Sequence, residues 1–229
     1  MKSVRVVHAL VFGAAIASTL KITSSEAEQL VAVIARPYHF GDPVAPMAAF
    51  AFVLSALLAP LMLSFLLRRK AVPLKLSAAV LLAFSLAWAD RIISGPRERS
   101  PLEANDQLST VARSFHGRLV ETLQAKAELP REASELQPFL RSAISASGPA
   151  GQFSGRARFG RELGYQLTRV SDREEALAQL VPGQLLVWVS EDGVAFQIVP
   201  VGFDPNGKPR ALVEQTLKGV FNPDGLGMP

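Results

Sequence analysis

Asp90 and Arg91 are the residues whose types and place most directly invite chemistry. An acid beside a base stands near the end of an apolar run, Leu74 to Ile93. A carboxylate at membrane depth is costly, and by default it marks a proton or ion site. The pair also reads as a neutralised anchor at the bilayer interface, beside Trp88. Two further groups carry binding chemistry. Tyr38-His39-Phe40, between Pro37 and Pro43, reads as an aromatic interface anchor or as a binding loop. Arg156, Arg158 and Arg161 lie among Gly148, Gly151, Gly155, Gly160 and Gly164. That stretch lacks the Lys-Ser/Thr of a phosphate-binding loop and the strand before it. It reads as a solvated loop, or as a contact for anionic lipid headgroups or an acidic partner.

The remaining reactive types are dispersed. His8, His39 and His116 show no metal-ligand spacing. With no cysteine in the chain, disulfides, thiolate metal sites and thiol nucleophiles are excluded. No serine sits in a Gly-x-Ser-x-Gly elbow or a Ser-x-x-Lys arrangement. Glu174-Glu175 and Glu191-Asp192 fall at a predicted helix start and turn, where acids serve structure. The sequence therefore predicts no catalytic residue, no metal ligand and no cofactor.

The elements that must position these residues divide the chain in two. Of its 229 residues 49% are hydrophobic and only 19% charged, against about a quarter charged in ordinary soluble domains. Residues 1–100 hold 11 Lys and Arg against 5 Asp and Glu, whereas residues 101–229 hold 13 against 15. The basic excess behind the pI of about 9.7 thus borders the apolar segments, as the positive-inside rule requires, and argues against nucleic-acid binding.

Three hydrophobic segments are predicted, at about 4–22, 44–67 and 74–93, in a membrane region spanning 1–95. The second has 25 uncharged residues between Asp42 and Arg68, where about 20 suffice to cross the hydrocarbon. Its internal Pro60 predicts a kink. The first has 15 uncharged residues between Arg5 and Lys21, and reads either as an uncleaved span or as a signal peptide ending near Ala15-Ile16-Ala17. The third has 14 between Lys75 and Asp90, and reads as a span with a snorkelling Lys75 or as an interfacial helix. Lys2 and Arg5, and Arg68, Arg69, Lys70 and Lys75, mark the cytoplasmic side. Residues 22–43 then form an outer loop, and three crossings place the rest of the chain outside the cytoplasm.

Residues 100–221 read as a small α+β domain, followed by a loose tail at 222–229. Ser100-Pro101-Leu102-Glu103 opens a helix with apolar residues at 108, 111, 112, 115, 119 and 123, ending near Leu129-Pro130. A second helix is expected from about Arg131 to Ser145, and a strand from Tyr165 to Val170. Ser171-Asp172-Arg173-Glu174 should open a short helix. Leu185 to Val189 and Val194 to Phe203, joined through Asp192-Gly193, predict an antiparallel hairpin. Arg210 to Leu217 should return as a strand or a short helix.

The expected protein is a non-catalytic accessory or scaffold subunit of a bacterial envelope complex in the inner membrane. Its partners would be the lipid bilayer and other membrane or envelope subunits, with no nucleic acid. A transporter or enzyme component working at Asp90 and Arg91, and a sensor binding an anionic ligand through the Arg156–Arg161 loop, are the competing expectations.

Overall fold

The structure, a computed structural model, describes residues 2–68, 70, 72–95, 100–171 and 179–221. The chain forms two compact units. One comprises Met1–Arg36 and Asp42–Glu98; the other comprises Pro37–Gly41 and Arg99–Pro229. A five-residue piece of the predicted outer loop thus belongs with the C-terminal half.

The first unit is helical: α1 (Lys2–Ile22), α2 (Ser24–Ala35), α3 (Pro46–Leu67) and α4 (Leu74–Ser94). Among the described residues two helices are long and apolar enough to cross a membrane, Pro46–Phe65 within α3 and the whole of α4. The pair Val7–Ile22 and Ser24–Ala35, bent by 52°, makes a third if it counts as one broken span. The bend has a local cause. Thr19 and Thr23 donate their hydroxyls to the carbonyls four residues back, Ala15 at 2.8 Å and Thr19 at 2.7 Å. Such back-bonding competes with the helix ladder and bends helices. α3 continues as one helix through Pro60, although that residue brings no N–H to the ladder.

Around a small apolar cluster of Phe12, Ile16, Leu58, Met62 and Val80, this unit exposes large apolar side chains and buries polar ones. Leu10, Val31, Leu57, Leu61, Leu81 and Ile92 are exposed, while Thr19, Thr23, Glu26, Gln29, Ser55, Ser77 and Asp90 are buried. In water that arrangement would forfeit about 25 cal/mol per Å² of apolar surface. Facing lipid it costs nothing, because helices in a bilayer associate through close packing and polar contacts. The small residues that permit close approach are buried here: Ala9, Ala48, Ala51, Ala83 and Ala87.

The second unit contains β1 (Tyr38–Phe40), α5 (Pro101–Lys126), α6 (Ala133–Ser147), β2 (Gly155–Ala157), β3 (Gln166–Arg169), β4 (Gln184–Val189), β5 (Ala195–Phe203), β6 (Pro209–Ala211) and β7 (Leu217–Val220). Ser100 caps α5 by accepting from the Leu102 N–H at 3.1 Å, with Pro101 in the first turn. The helix ends at Ala127, in the left-handed conformation. The long β5 pairs with β4 on one side; on the other it carries β7 along Ala195–Ile198 and β6 along Val201–Phe203. The hairpin closes through Gly193, whose φ of 73° suits glycine, and Asp192 accepts from the Ser190 hydroxyl and the Val194 N–H. Those bonds hold the Asp192 carboxyl below its usual range. β3 runs parallel to β4, so the sheet is mixed rather than wholly antiparallel. The region expected from Arg210 to Leu217 as a strand or a short helix holds both: β6 ends at Ala211, a short 3-10 turn covers Val213–Gln215, and β7 begins at Leu217.

Strand alternation puts Leu185, Val187, Val189, Phe196 and Ile198 against Leu108, Phe115 and Leu119 of α5 and Leu136 and Leu140 of α6. The opposite face carries the smaller cluster of Val170, Leu186 and Val201. The predicted helix after Ser171 falls on residues 172–178, the tail on 222–229 and much of the inter-unit connection on 96–99, all outside the described residues.

Asn105 fastens helix to sheet. Its amide donates to the Phe203 carbonyl and accepts from the Phe203 N–H, both at 2.8 Å. Gly202 lets the strand approach, since a Cβ there would stand 2.1 Å from Asn105 Oδ1. Replacing Asn105 with Ala strands both backbone groups in a buried site, each loss being worth about 1–3 kcal/mol. Asn105→Ala should therefore lower the unfolding free energy of the second unit by about 2–6 kcal/mol. Denaturant unfolding followed by circular dichroism checks this, and an unchanged midpoint would refute the role given to Asn105.

Candidate functional site

Two of the three groups singled out from the sequence come together. β1 pairs antiparallel with β2, matching Tyr38 to Ala157, His39 to Arg156 and Phe40 to Gly155. The ladder is extended at both ends, by Gly41 N–H to the Ser154 carbonyl at 3.0 Å and Arg158 N–H to the Pro37 carbonyl at 2.9 Å. Beyond β2 the chain folds back at once. Ala157 N–H bonds the Arg161 carbonyl at 2.7 Å, and Leu163 N–H bonds the Gly155 carbonyl at 3.1 Å. The glycine-rich stretch expected to be a solvated loop is therefore a tight ribbon whose tip is Arg158-Phe159-Gly160. What converts it is the backbone partner supplied by β1, 115 residues earlier, counting from Phe40 to Gly155.

The side chains divide the labour. Arg156 turns inward along the ribbon: Nε donates to the Gly41 carbonyl at 3.1 Å, and Nη1 donates to the Gly160 carbonyl at 3.2 Å. Its ion pair with Glu162, at 3.5 Å, is exposed on the acid side and worth little. His39 is buried, at 1% exposure, rather than displayed in a loop. Phe40 meets Phe203 edge to face at 5.4 Å, Phe203 stacks on Phe153 at 6.4 Å, and Phe153 lies 5.6 Å from Tyr165. This aromatic row runs from β1 into the domain and adds about 0.5–1.5 kcal/mol per pair beyond area burial. Burial raises the Tyr165 phenol well above its usual pKa, and its hydroxyl donates to the Gly151 carbonyl at 2.7 Å. Arg158, Phe159 and Arg161 point the other way and are exposed.

The third group, Asp90 and Arg91, sits in the helical unit. Both line a cavity of about 20 Å³ together with Thr23, Ser25 and Glu26, with Ala48 and Ala87 alongside. That volume holds about one water molecule. Asp90 is 8% exposed and Glu26 is 3% exposed, so Asp90 is buried within the helical unit rather than placed at an open surface.

Glu26 was missed by sequence reasoning, where it counted as a loop charge. Its signal was present in the spacing: Thr19, Thr23, Glu26 and Gln29 fall on one helical face, continued across the bend. Glu26 Oε2 accepts the Ala45 N–H at 3.2 Å, just ahead of the first residue of α3, and it also lies in the first turn of α2. One carboxylate thus serves two helix N-termini, where negative charge is favoured. Gln29 Nε2 reaches the Asp42 carbonyl at 3.4 Å on the same connection. Among the described residues no three His, Cys, Asp or Glu are grouped to hold a metal ion.

No protein-family model, curated protein or solved structure matches this chain.

Removing the Glu26 carboxyl leaves a buried N–H without its acceptor, a loss of about 1–3 kcal/mol. Glu26→Ala should lower the thermal stability of the purified chain, and Glu26→Gln should restore most of it, because the amide oxygen still accepts. Thermal unfolding in detergent reads both variants. A Gln variant as weak as Ala would show that charge, rather than the hydrogen bond, is what the site needs.

Proposed function

We propose that this chain is an integral membrane accessory or scaffold subunit of an envelope complex, without catalytic activity of its own. The observation that carries the reading is the β1–β2 ladder. It takes the stretch between two apolar helices and makes it a strand of the second unit, so the chain enters and leaves that unit beside α2 and α3 as well as before α5. A domain joined to the helical unit at three points of the chain is suited to linking other subunits to it. The exposed apolar side chains of the helical unit suit burial in lipid or against other spans.

The ladder also supports the topology. Strands that pair must share a compartment, so an even number of crossings separates Phe40 from α5. α3 and α4 then cross as a pair. With Arg68, Arg69, Lys70 and Lys75 holding their connection in the cytoplasm, the second unit lies outside it, in the periplasm of a bacterial inner-membrane protein.

A second reading, a transporter or enzyme component, draws on Asp90 and Glu26 lining one cavity in the helical unit. Asp90→Asn separates the two. In a transporter it abolishes activity at unchanged abundance; in a scaffold it alters assembly or abundance instead.

Two measurements test the proposal. Because the chain has no native Cys, single cysteines at Asn206 and at Lys70 can be probed with a membrane-impermeant maleimide. Asn206→Cys should label in intact spheroplasts and Lys70→Cys only after lysis; the reverse pattern overturns the periplasmic assignment. Extraction in mild detergent should yield a stoichiometric complex with other membrane proteins, whereas a lone monomer would overturn the scaffold reading.

A further inference from the structure

We infer that the tip Arg158-Phe159-Gly160-Arg161 is a membrane-surface anchor, in which Phe159 inserts among the headgroups of anionic phospholipids and the flanking arginines bind their phosphates. Phe159 is 76% exposed, the only exposed Phe among the described residues of the second unit. It also holds φ at 60°, a left-handed conformation that is unfavourable for a bulky side chain. Strain of this kind persists where surrounding structure imposes it, and here the Ala157–Arg161 and Arg158–Pro37 hydrogen bonds do so. The backbone thus holds the ring exposed, with the Arg158 guanidinium 5.8 Å from the ring centroid.

Covalent reach supplies the lipid surface. Pro37, which accepts from the Arg158 N–H, is two residues beyond Ala35, the last residue of α2. Two extended residues span about 7 Å at most. On the other flank Gly41, which accepts from Arg156, is five residues from Pro46, the start of α3, and so within about 18 Å of it. Covalent reach therefore limits how far the ribbon can lie from the ends of α2 and α3, and aromatic and basic residues near the ends of membrane spans partition to the interface. The chemistry favours lipid over an acidic protein, because a ring flanked by cations within reach of a span matches a surface that is apolar below and anionic above. Near such a surface each basic residue contributes about 1 kcal/mol, or about fivefold in an equilibrium constant.

The test uses the full chain with Phe159→Cys carrying an environment-sensitive fluorophore, reconstituted into vesicles of phosphatidylcholine with or without phosphatidylglycerol. The same label at Asn206 serves as the aqueous control. The label at position 159 should be protected from iodide and quenched by lipids bearing a nitroxide near the headgroup, more strongly with phosphatidylglycerol present. Arg158→Gln and Arg161→Gln should each shift the inserted population about fivefold toward water in the anionic vesicles. A label at Arg161→Cys reads the same depth should the first variant fail to fold. A label that floats with the vesicles yet is quenched by iodide as freely as at Asn206 overturns the inference and leaves the tip to a protein partner. Because the inference rests on the chain spanning a bilayer, a protein that does not float at all overturns that reading and the anchor with it.

Discussion

Three strand-pairing positions, Tyr38 opposite Ala157, His39 opposite Arg156 and Phe40 opposite Gly155, govern how the rest of the chain is organised. The pairing joins segments separated by two long apolar helices and by α5 and α6. Closing a free loop of 115 residues costs about 4 kcal/mol plus a constant. Three strand pairs alone scarcely offset that. The aromatic row through Phe40, Phe203, Phe153 and Tyr165 and the inward reach of Arg156 make the closure favourable, by adding burial and hydrogen bonds at the place where the chain returns.

The helical unit obeys a different solvent logic. It buries several polar residues and exposes many of its large apolar ones, and four of the buried polar groups have a local task. Thr19 and Thr23 bond their own helix and bend it, Gln29 holds the connection at Asp42, and Glu26 satisfies a helix N-terminus. The cavity between Glu26 and Asp90 is of water size. These features fit a scaffold whose interior polarity fastens its helices, and they also define where proton or ion chemistry would reside if the unit performed any.

Periodicity carried much of this architecture in the sequence. The stripe from Leu108 to Leu123, the cap at Ser100, the Asp192-Gly193 turn and the uncharged run before Arg68 each express a local rule, and each leads to an element found in the fold. What local rules missed was non-local. Nothing near Tyr38 announces a strand, because its partner is supplied by Gly155. A glycine-rich stretch reads as mobile when its pairing edge is out of view. β3 is parallel to β4, and strand composition alone is silent on direction. Glu26 is hidden in the sequence because the run from Ile22 to Pro43 reads as a loop, which conceals the helical face it shares with Thr19, Thr23 and Gln29.

The early position of β1 has a consequence for biogenesis. Tyr38–Phe40 leaves the ribosome long before Gly155–Ala157, and in a chain whose α3 and α4 cross the bilayer, both must be threaded before the two strands can meet. A copy in which α4 remained unthreaded would hold the strands in different compartments, leaving Phe203 without Phe40 and the ribbon without its edge. Completion of the folded unit would then report on correct insertion, and an incomplete copy would display an unsatisfied strand edge for quality-control proteases to recognise.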